Sequence, residues 1–327
     1  QTGIFNAEIA FVPDSVTDIY STTQLLLPLD DAAGSQTLLD ISGQNHSVTH
    51  LCNGVLCPAT FVTGQDGSAV QLNGAQIIRA TDIATPKTNY TLLGWFKTSC
   101  ANCGIVSIDS NAVDRQLYLS GGNVCSQIVN GGEEAICSAT GTFADGQWHM
   151  VAQSVSSAGH QLFVDGALAA SGVKTSSANG AVGTVAVGRA PRAGTPQLTG
   201  QVDQFALFAA PLTTLQAAAL YRSWQPVTLA ASGFDVNTTT WSAPVPSDLE
   251  GFFQIDLTAT DMLGNRNNDR IDWNHWRGEI DLLAPRVDIA VSYSGWGFWN
   301  YQTTFTGYAE DLNLTEDNLQ FPCTPAI

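Results

Sequence analysis

The stretch Asp145-Gly-Gln-Trp-His-Met-Val-Ala152, followed by Gln161-Leu-Phe-Val-Asp-Gly166, decides what kind of fold this chain makes. Apolar and β-branched residues dominate His149–Ser156 and Gln161–Val164, and polar turn residues bound each run. That is the pattern of paired strands, and Asp165-Gly166 is a tight hairpin signal. The same pattern recurs outward in both directions. Tyr90–Lys97, Gly104–Ile108, Gln116–Leu119, Gly183–Gly188 and Gly200–Phe208 read as further strands between clusters of Gly, Asn, Asp and Ser. Many evenly spaced short strands predict a sandwich or jelly roll. Helical periodicity is convincing once, from Leu212 to Trp224, where Leu215, Ala218, Ala219, Leu220 and Tyr221 recur at three and four.

A chain of 327 residues exceeds the ~150 of a usual domain, so two or three units are expected. The 44% hydrophobic content excludes wholesale disorder. Twelve basic residues stand against 29 acidic ones, a net charge of −17 that repels phosphate backbones and makes nucleic acid a poor partner. The same carboxylate surplus suits calcium. No apolar run reaches the ~20 residues of a membrane span. The few lysines (Lys87, Lys97, Lys174) and the many small and β-branched residues predict an exported protein of the cell surface. The chain opens at Gln1 with neither Met nor a signal peptide, which reads as a mature or excised piece.

Six of the seven cysteines fall into close pairs, Cys52/Cys57, Cys100/Cys103 and Cys125/Cys137, and all three pairs are expected to be disulfides. Folding about Asn130-Gly131-Gly132 puts Cys125 opposite Cys137, where a cross-strand Cβ separation of ~4.5–5.5 Å needs little tightening. The competing reading is a zinc site from His50, Cys52, Cys57 and the Cys100-x-x-Cys103 pair. Cys323 is left over, with a partner expected outside the chain.

Leu25-Leu-Leu-Pro-Leu-Asp-Asp, Leu39-Asp-Ile-Ser-Gly-Gln-Asn-His46 and Gly67-Ser-Ala-Val-Gln-Leu-Asn-Gly74 resemble the opening of a laminin-G-like, concanavalin A-like jelly roll. Tyr90-Thr-Leu-Leu-Gly-Trp-Phe-Lys97 resembles its inner strand, Asp145–Ala152 with Gln161–Gly166 its central hairpin, and Gly200–Phe208 its ending. The resemblance spans residues 22–224. It implies a core in which Trp95, Trp148, Phe163 and Phe205 fill the space between two sheets. It also implies a structural calcium held by Asp40 and Asp203, with carbonyls around Asn45 and His46 completing the oxygen shell. The alternative is that each carboxylate caps a local turn.

No enzyme emerges. Glucan-cleaving sandwiches carry Glu-x-Asp-x-x-Glu or a one-residue variant on one strand, and Glu279-Ile-Asp281 is only a partial match, with Ala284 at the third position. Nucleophile-elbow, zinc-protease and phosphate-loop motifs are absent. His46, His50, His149, His160 and His275 show no triad or ligand spacing, so catalysis has no named residue.

Composition changes at Trp224-Gln225-Pro226. Trp241 to Asn265 resembles the later strands of bacterial immunoglobulin-like repeats, and Ile280-Asp-Leu-Leu-Ala-Pro-Arg-Val287 resembles the start of the next repeat. The expected fold class is therefore all-β, a jelly roll plus an immunoglobulin-like sandwich. The expected units are 1–21 (linker and apolar strand), 22–224 (jelly roll), 225–283 (later strands) and 284–327 (early strands). Because the two halves stand in inverted order, 284–327 is expected to complete a neighbouring copy, with residues 1–20 adding a strand. The duller alternative pairs 225–327 within itself. Trp273, Trp276, Trp296, Trp299 and Tyr301 form an aromatic group suited to an interface or a glycan platform. The function expected is a non-catalytic extracellular adhesive or filament unit with other copies of itself as partners. The alternative is a carbohydrate-binding module of a larger glycan-active protein.

Overall fold

Alternation of side chains along the strands sorts the chain into layers. The computed structural model describes residues 3–13, 19–109, 112–139, 141–178, 182–221, 225–233, 235–236, 238–245, 250–261, 276–281, 286–295 and 301–310. A nine-stranded sheet runs Glu133–Cys137, Asn123–Val129, Val113–Ser120, Gly104–Asp109, Val182–Val187, Gln76–Ala84, Ser47–Cys52, Thr37–Leu38, with Val55–Leu56 paired to Ser47–Cys52. An eight-stranded sheet faces it. Its order is Ala167–Gly172, Gly159–Val164, Trp148–Ser156, Tyr90–Thr98, Thr199–Phe208, Ser68–Asn73, Thr60–Thr63, with Thr23–Leu27 paired to Thr199–Phe208. The expected strands are all present.

Between the sheets lie Leu25, Leu27, Leu72, Leu92, Phe96 and Phe205 from one side and Ile78, Ile105, Leu117, Val124 and Val185 from the other. Each large apolar side chain so buried contributes roughly 1.5–3 kcal/mol. A second cluster sits on the opposite face of the eight-stranded sheet. There Leu93, Trp95, Met150, Phe163 and Phe208 pack with Ile19, Leu212 and Ala217. This corrects the aromatic core read from sequence: Phe205 lies between the sheets, but Trp95 and Phe163 face away from them. The reason is strand parity, since Leu92 and Phe96 take the inward positions on the strand that carries Trp95.

The cover over Trp95 is the helix Thr214–Tyr221. Thr213 caps it: the Gln216 N–H donates to Thr213 Oγ1 at 3.2 Å, and the Thr213 N–H donates to Gln216 Oε1 at 2.9 Å. Tyr221 stacks on Trp95 with ring centroids 5.6 Å apart.

Segments from before and after the jelly roll meet in a separate sheet. Its order is Gln225–Pro226, Ile4–Pro13, Glu250–Asp261, Trp276–Asp281. Ala7, Ile9 and Phe11 stand opposite Ala259, Leu257 and Ile255, so one face is apolar. The jelly roll thus interrupts the sequence between two neighbouring strands of this sheet. Arg286–Gly295 and Tyr301–Glu310 form an antiparallel hairpin that, among the described residues, pairs with no other strand.

Candidate functional site

Of the expected disulfides, Cys52–Cys57 and Cys125–Cys137 are formed. Cys125 and Cys137 are direct cross-strand partners, as the hairpin about Gly131 requires. The third expected bridge is corrected: Cys100 and Cys103 are free thiols. Cys103 is fully buried against the sandwich core and its thiol donates to the Cys100 carbonyl at 3.3 Å. Burial, then the hydrogen bond and charge of Cys100, push the Cys103 thiol well above its ordinary pKa. The protonated, unreactive form therefore dominates. Alkylation without reductant followed by mass spectrometry should label Cys100 while leaving Cys52, Cys57, Cys125 and Cys137 blocked. Label on Cys125 or Cys137 would contradict the pairing.

The two carboxylates expected to share calcium close different turns. Asp40 accepts the backbone N–H groups of Leu26 (3.1 Å), Ser42 (3.0 Å) and His46 (3.2 Å) and the Ser42 hydroxyl (2.7 Å). Asp203, on Thr199–Phe208, accepts the N–H groups of Gln65 (2.9 Å) and Asp66 (3.1 Å). Asn45 sits exposed in the left-handed region at φ 57°, and His46 bonds the Gln24 carbonyl through Nε2 at 2.9 Å. Donors occupy both oxygens of Asp40, the positions a cation would need. The local-turn alternative describes Asp40 as found, while Asp203 ties its strand to the loop at Gln65 and Asp66.

The histidines hold what the sequence concealed. His160 Nδ1 lies 3.2 Å from Glu134 Oε1, and its Nε2 lies 2.7 Å from Ser126 Oγ. A carboxylate only accepts, so Nδ1 carries the proton and Ser126 donates to Nε2. Gln153 Nε2 donates to Ser126 Oγ at 2.7 Å, and the Tyr90 hydroxyl donates to Gln153 Oε1 at 3.0 Å. The result is one directional chain from Tyr90 to Glu134. Burial holds His160 low, at about 4, against the opposing pull of Glu134. Ser126, His160 and Glu134 have the order of a hydrolytic triad, but Ser126 and His160 are wholly buried between the sheets. A nucleophile needs an approach path for substrate. This one is a satisfied polar seam in the core.

Arg115 extends the seam. Fully buried, it donates to Asp114 Oδ1 at 3.0 Å and to the Pro86 carbonyl at 2.5 Å, and its guanidinium lies 5.0 Å from the Tyr90 ring centre. His149 sits in a looser cluster between Asp165 (2.8 Å) and Asp145 (3.2 Å). Burial alone would lower its pKa, but Asp165 and then Asp145 offset that and raise it.

A polar row crosses the outer face of the nine-stranded sheet. Thr49, Arg79, Ala186, Ser107, Gln116, Gln127 and Ala135 are successive register partners, so their side chains leave the sheet on one side. Gln116 Nε2 donates to Gln127 Oε1, and Gln127 Nε2 donates to Glu133 Oε2 at 3.1 Å. Ser107 and Gln116 are each 1% exposed despite lying outside the core. Among the described residues the Ser107 hydroxyl finds no hydrogen-bond partner. Like the seam through His160, this row is closed to solvent and satisfied largely within itself. Sequence reading missed the row because alternation marks a face but not which face is deep.

Of the aromatic group, Trp276 lies on the strand Trp276–Asp281 and Tyr301 on Tyr301–Glu310. Trp273, Trp296 and Trp299 lie outside the described residues, as does Cys323.

Residues 67–218 match the family model of the concanavalin A-like lectin/glucanases superfamily. No curated protein matches the chain. Domain 4 of an extracellular arabinanase from Geobacillus stearothermophilus, solved with arabinotriose, is similar at 19% identity and a TM-score of 0.50, over 61% of this chain and 98% of that one. The botulinum neurotoxin serotype D ligand binding domain, solved with N-acetylneuraminic acid, is similar at 15% identity and a TM-score of 0.48, over 64% of this chain and 52% of that one. The match spans about half the toxin domain. At such identities the likeness is one of fold.

Proposed function

Starting from a concanavalin A-like jelly roll, we propose that this chain is a non-catalytic extracellular unit that joins copies of itself head to tail into a surface filament or long surface protein. One observation carries the reading: among the described residues, the sheet that gathers segments from both sides of the jelly roll keeps an open edge. Ile4–Pro13 is held between Gln225–Pro226 and Glu250–Asp261, while Trp276–Asp281 has a strand partner on one side only among the described residues. The hairpin of two ten-residue strands stands apart from that sheet. A two-stranded hairpin is marginal alone in water, and an open edge is a template for another chain. The hairpin of one copy adds to the sheet of the next, a heterologous contact that propagates rather than closes. Trp276 and Tyr301 lie on the strands that would meet there, where aromatic anchors are favoured. The two disulfides support a place outside the cell. The sealed Ser126 supports the absence of catalysis.

Sedimentation velocity of the full chain tests the reading. The expected result is a series of species that lengthens with protein concentration. Val291→Pro, which removes a backbone donor from the middle of the hairpin, should return the chain to monomer. A chain that stays monomeric at every concentration contradicts the proposal.

A second reading, a carbohydrate-binding module, is favoured by the likeness of fold to the arabinanase domain solved with arabinotriose. Titration with an arabino-oligosaccharide, the kind of sugar seen on the arabinanase domain, checks it. Saturable binding is expected. A flat titration would count against this reading.

A further inference from the structure

The turn after Ser47–Cys52 carries a second use for its disulfide. His50, Cys52 and Cys57 bring one ring nitrogen and two sulfurs within 4.8 Å of one another, the only such trio of His, Cys, Asp or Glu ligands among the described residues. We propose that reduction of Cys52–Cys57 turns this turn into a three-ligand site for a thiolate-preferring divalent cation of the zinc class.

The site is held by the fold and open on one side. Cys52 pairs with Val55 and Leu51 with Leu56, while Asn53 and Gly54 take left-handed φ values of 50° and 83°. That two-residue turn, with the Cys57 N–H donating to the His50 carbonyl at 3.1 Å, holds the two cysteine backbones side by side independently of the S–S bond. His50 is fully buried, with Nδ1 3.3 Å from Cys57 Sγ, so its ring is already aimed at the sulfurs. Gln76 Nε2 donates to Cys52 Sγ at 3.4 Å, the kind of outer partner that steadies a thiolate ligand. Val55 and Leu56 at the tip are 69% and 50% exposed, which gives a reductant access and leaves the fourth position to water.

The chemistry balances with a dithiol as reductant. Its two S–H bonds break and it leaves as a cyclic disulfide, while the Cys52–Cys57 bond breaks and two cysteine S–H bonds form. Metal binding then releases those two protons as the thiolates coordinate. The proton on His50 Nδ1, now directed at the Cys57 carbonyl 3.0 Å away, moves to Nε2, which is buried and has no hydrogen-bond partner among the described residues. Oxidised, the turn is a covalent clip. Reduced, it is a metal clip.

The test uses the full chain, reduced with dithiothreitol, desalted without oxygen and titrated with Zn2+ under native mass spectrometry. Co2+ in parallel reports thiolate ligation by its charge-transfer absorption. The reduced chain should take up one more ion than the oxidised chain, with the cobalt–thiolate band. In Cys57→Ser, a change in a half-exposed turn that spares the core, affinity for that ion should fall about a hundredfold, as for a lost ligand. His50→Ala should weaken it likewise, and its folding is checked by circular dichroism. Uptake at Cys100, Cys103 or Cys323 would persist in Cys57→Ser. No added ion on reduction, or one unmoved by Cys57→Ser, overturns the proposal.

Discussion

Acidification from about pH 7 to about pH 4 is expected to remove about 3 kcal/mol of stability from the jelly roll through His160. In the fold its ring resists protonation until about 4, because it is buried between the sheets, whereas the unfolded ring titrates near 6.5. The contribution is therefore full above 6.5 and is lost as pH falls through the window down to about 4. Glu134 acts in the same direction. Burial would raise its pKa, but the N–H groups of Val173 and Lys174 and the His160 ring more than offset that and hold it below the ordinary value. His149 has the opposite sign: its raised pKa gives stability at low pH that is lost as pH rises through that raised value. Urea unfolding at a series of pH values separates them. His160→Gln should flatten most of the acid slope at the expense of stability at neutral pH. An acid slope unchanged in that variant would show that the Tyr90–Gln153–Ser126–His160–Glu134 chain does not titrate as described.

Gly94→Ala is expected to destabilise the fold by about 3 kcal/mol, at the upper end for overpacking. A Cβ on Gly94 would lie 2.4 Å from Cε1 of Phe205. Phe205 is wholly buried between the sheets, so its ring has nowhere to retreat. Gly94 lies on Tyr90–Thr98, between Trp148–Ser156 and Thr199–Phe208, so any backbone shift would propagate through the middle of the sheet. Thermal unfolding of the variant measures the loss. A melting temperature within a degree or two of the parent would mean that the ring is not seated where the packing places it.

The strands of the jelly roll were legible because β-branched and aromatic runs alternate with Gly, Asn and Asp turns, a local signal. The Cys125–Cys137 bridge followed from one hairpin turn and needed nothing distant. The direction Trp95 faces was not legible. The strand that carries it is apolar on both sides, so alternation does not say which set meets the second sheet and which meets the helix. The link of Ser126, Glu134 and His160 was hidden for a different reason. These residues come from three strands in two sheets, and only the sandwich brings them together. Asp40 was named as a calcium ligand from the family resemblance, not from its own surroundings. The N–H groups that Asp40 accepts come from its own turn and from Leu26 on another strand, and residue types alone do not reveal that network. The apolar strand at the chain start was read as a partner for residues 225–283. Ile4–Pro13 does pair with Glu250–Asp261, because Ala7, Ile9 and Phe11 need the apolar positions opposite them.

The central claim is that the terminal hairpin belongs to a neighbouring copy. A structure of the assembled form by electron cryomicroscopy tests it most directly. The account predicts that Arg286–Gly295 or Tyr301–Glu310 of one copy is hydrogen-bonded into the sheet containing Ile4–Pro13 and Glu250–Asp261 of the next. A hairpin folded back onto the sheet of its own chain would contradict it.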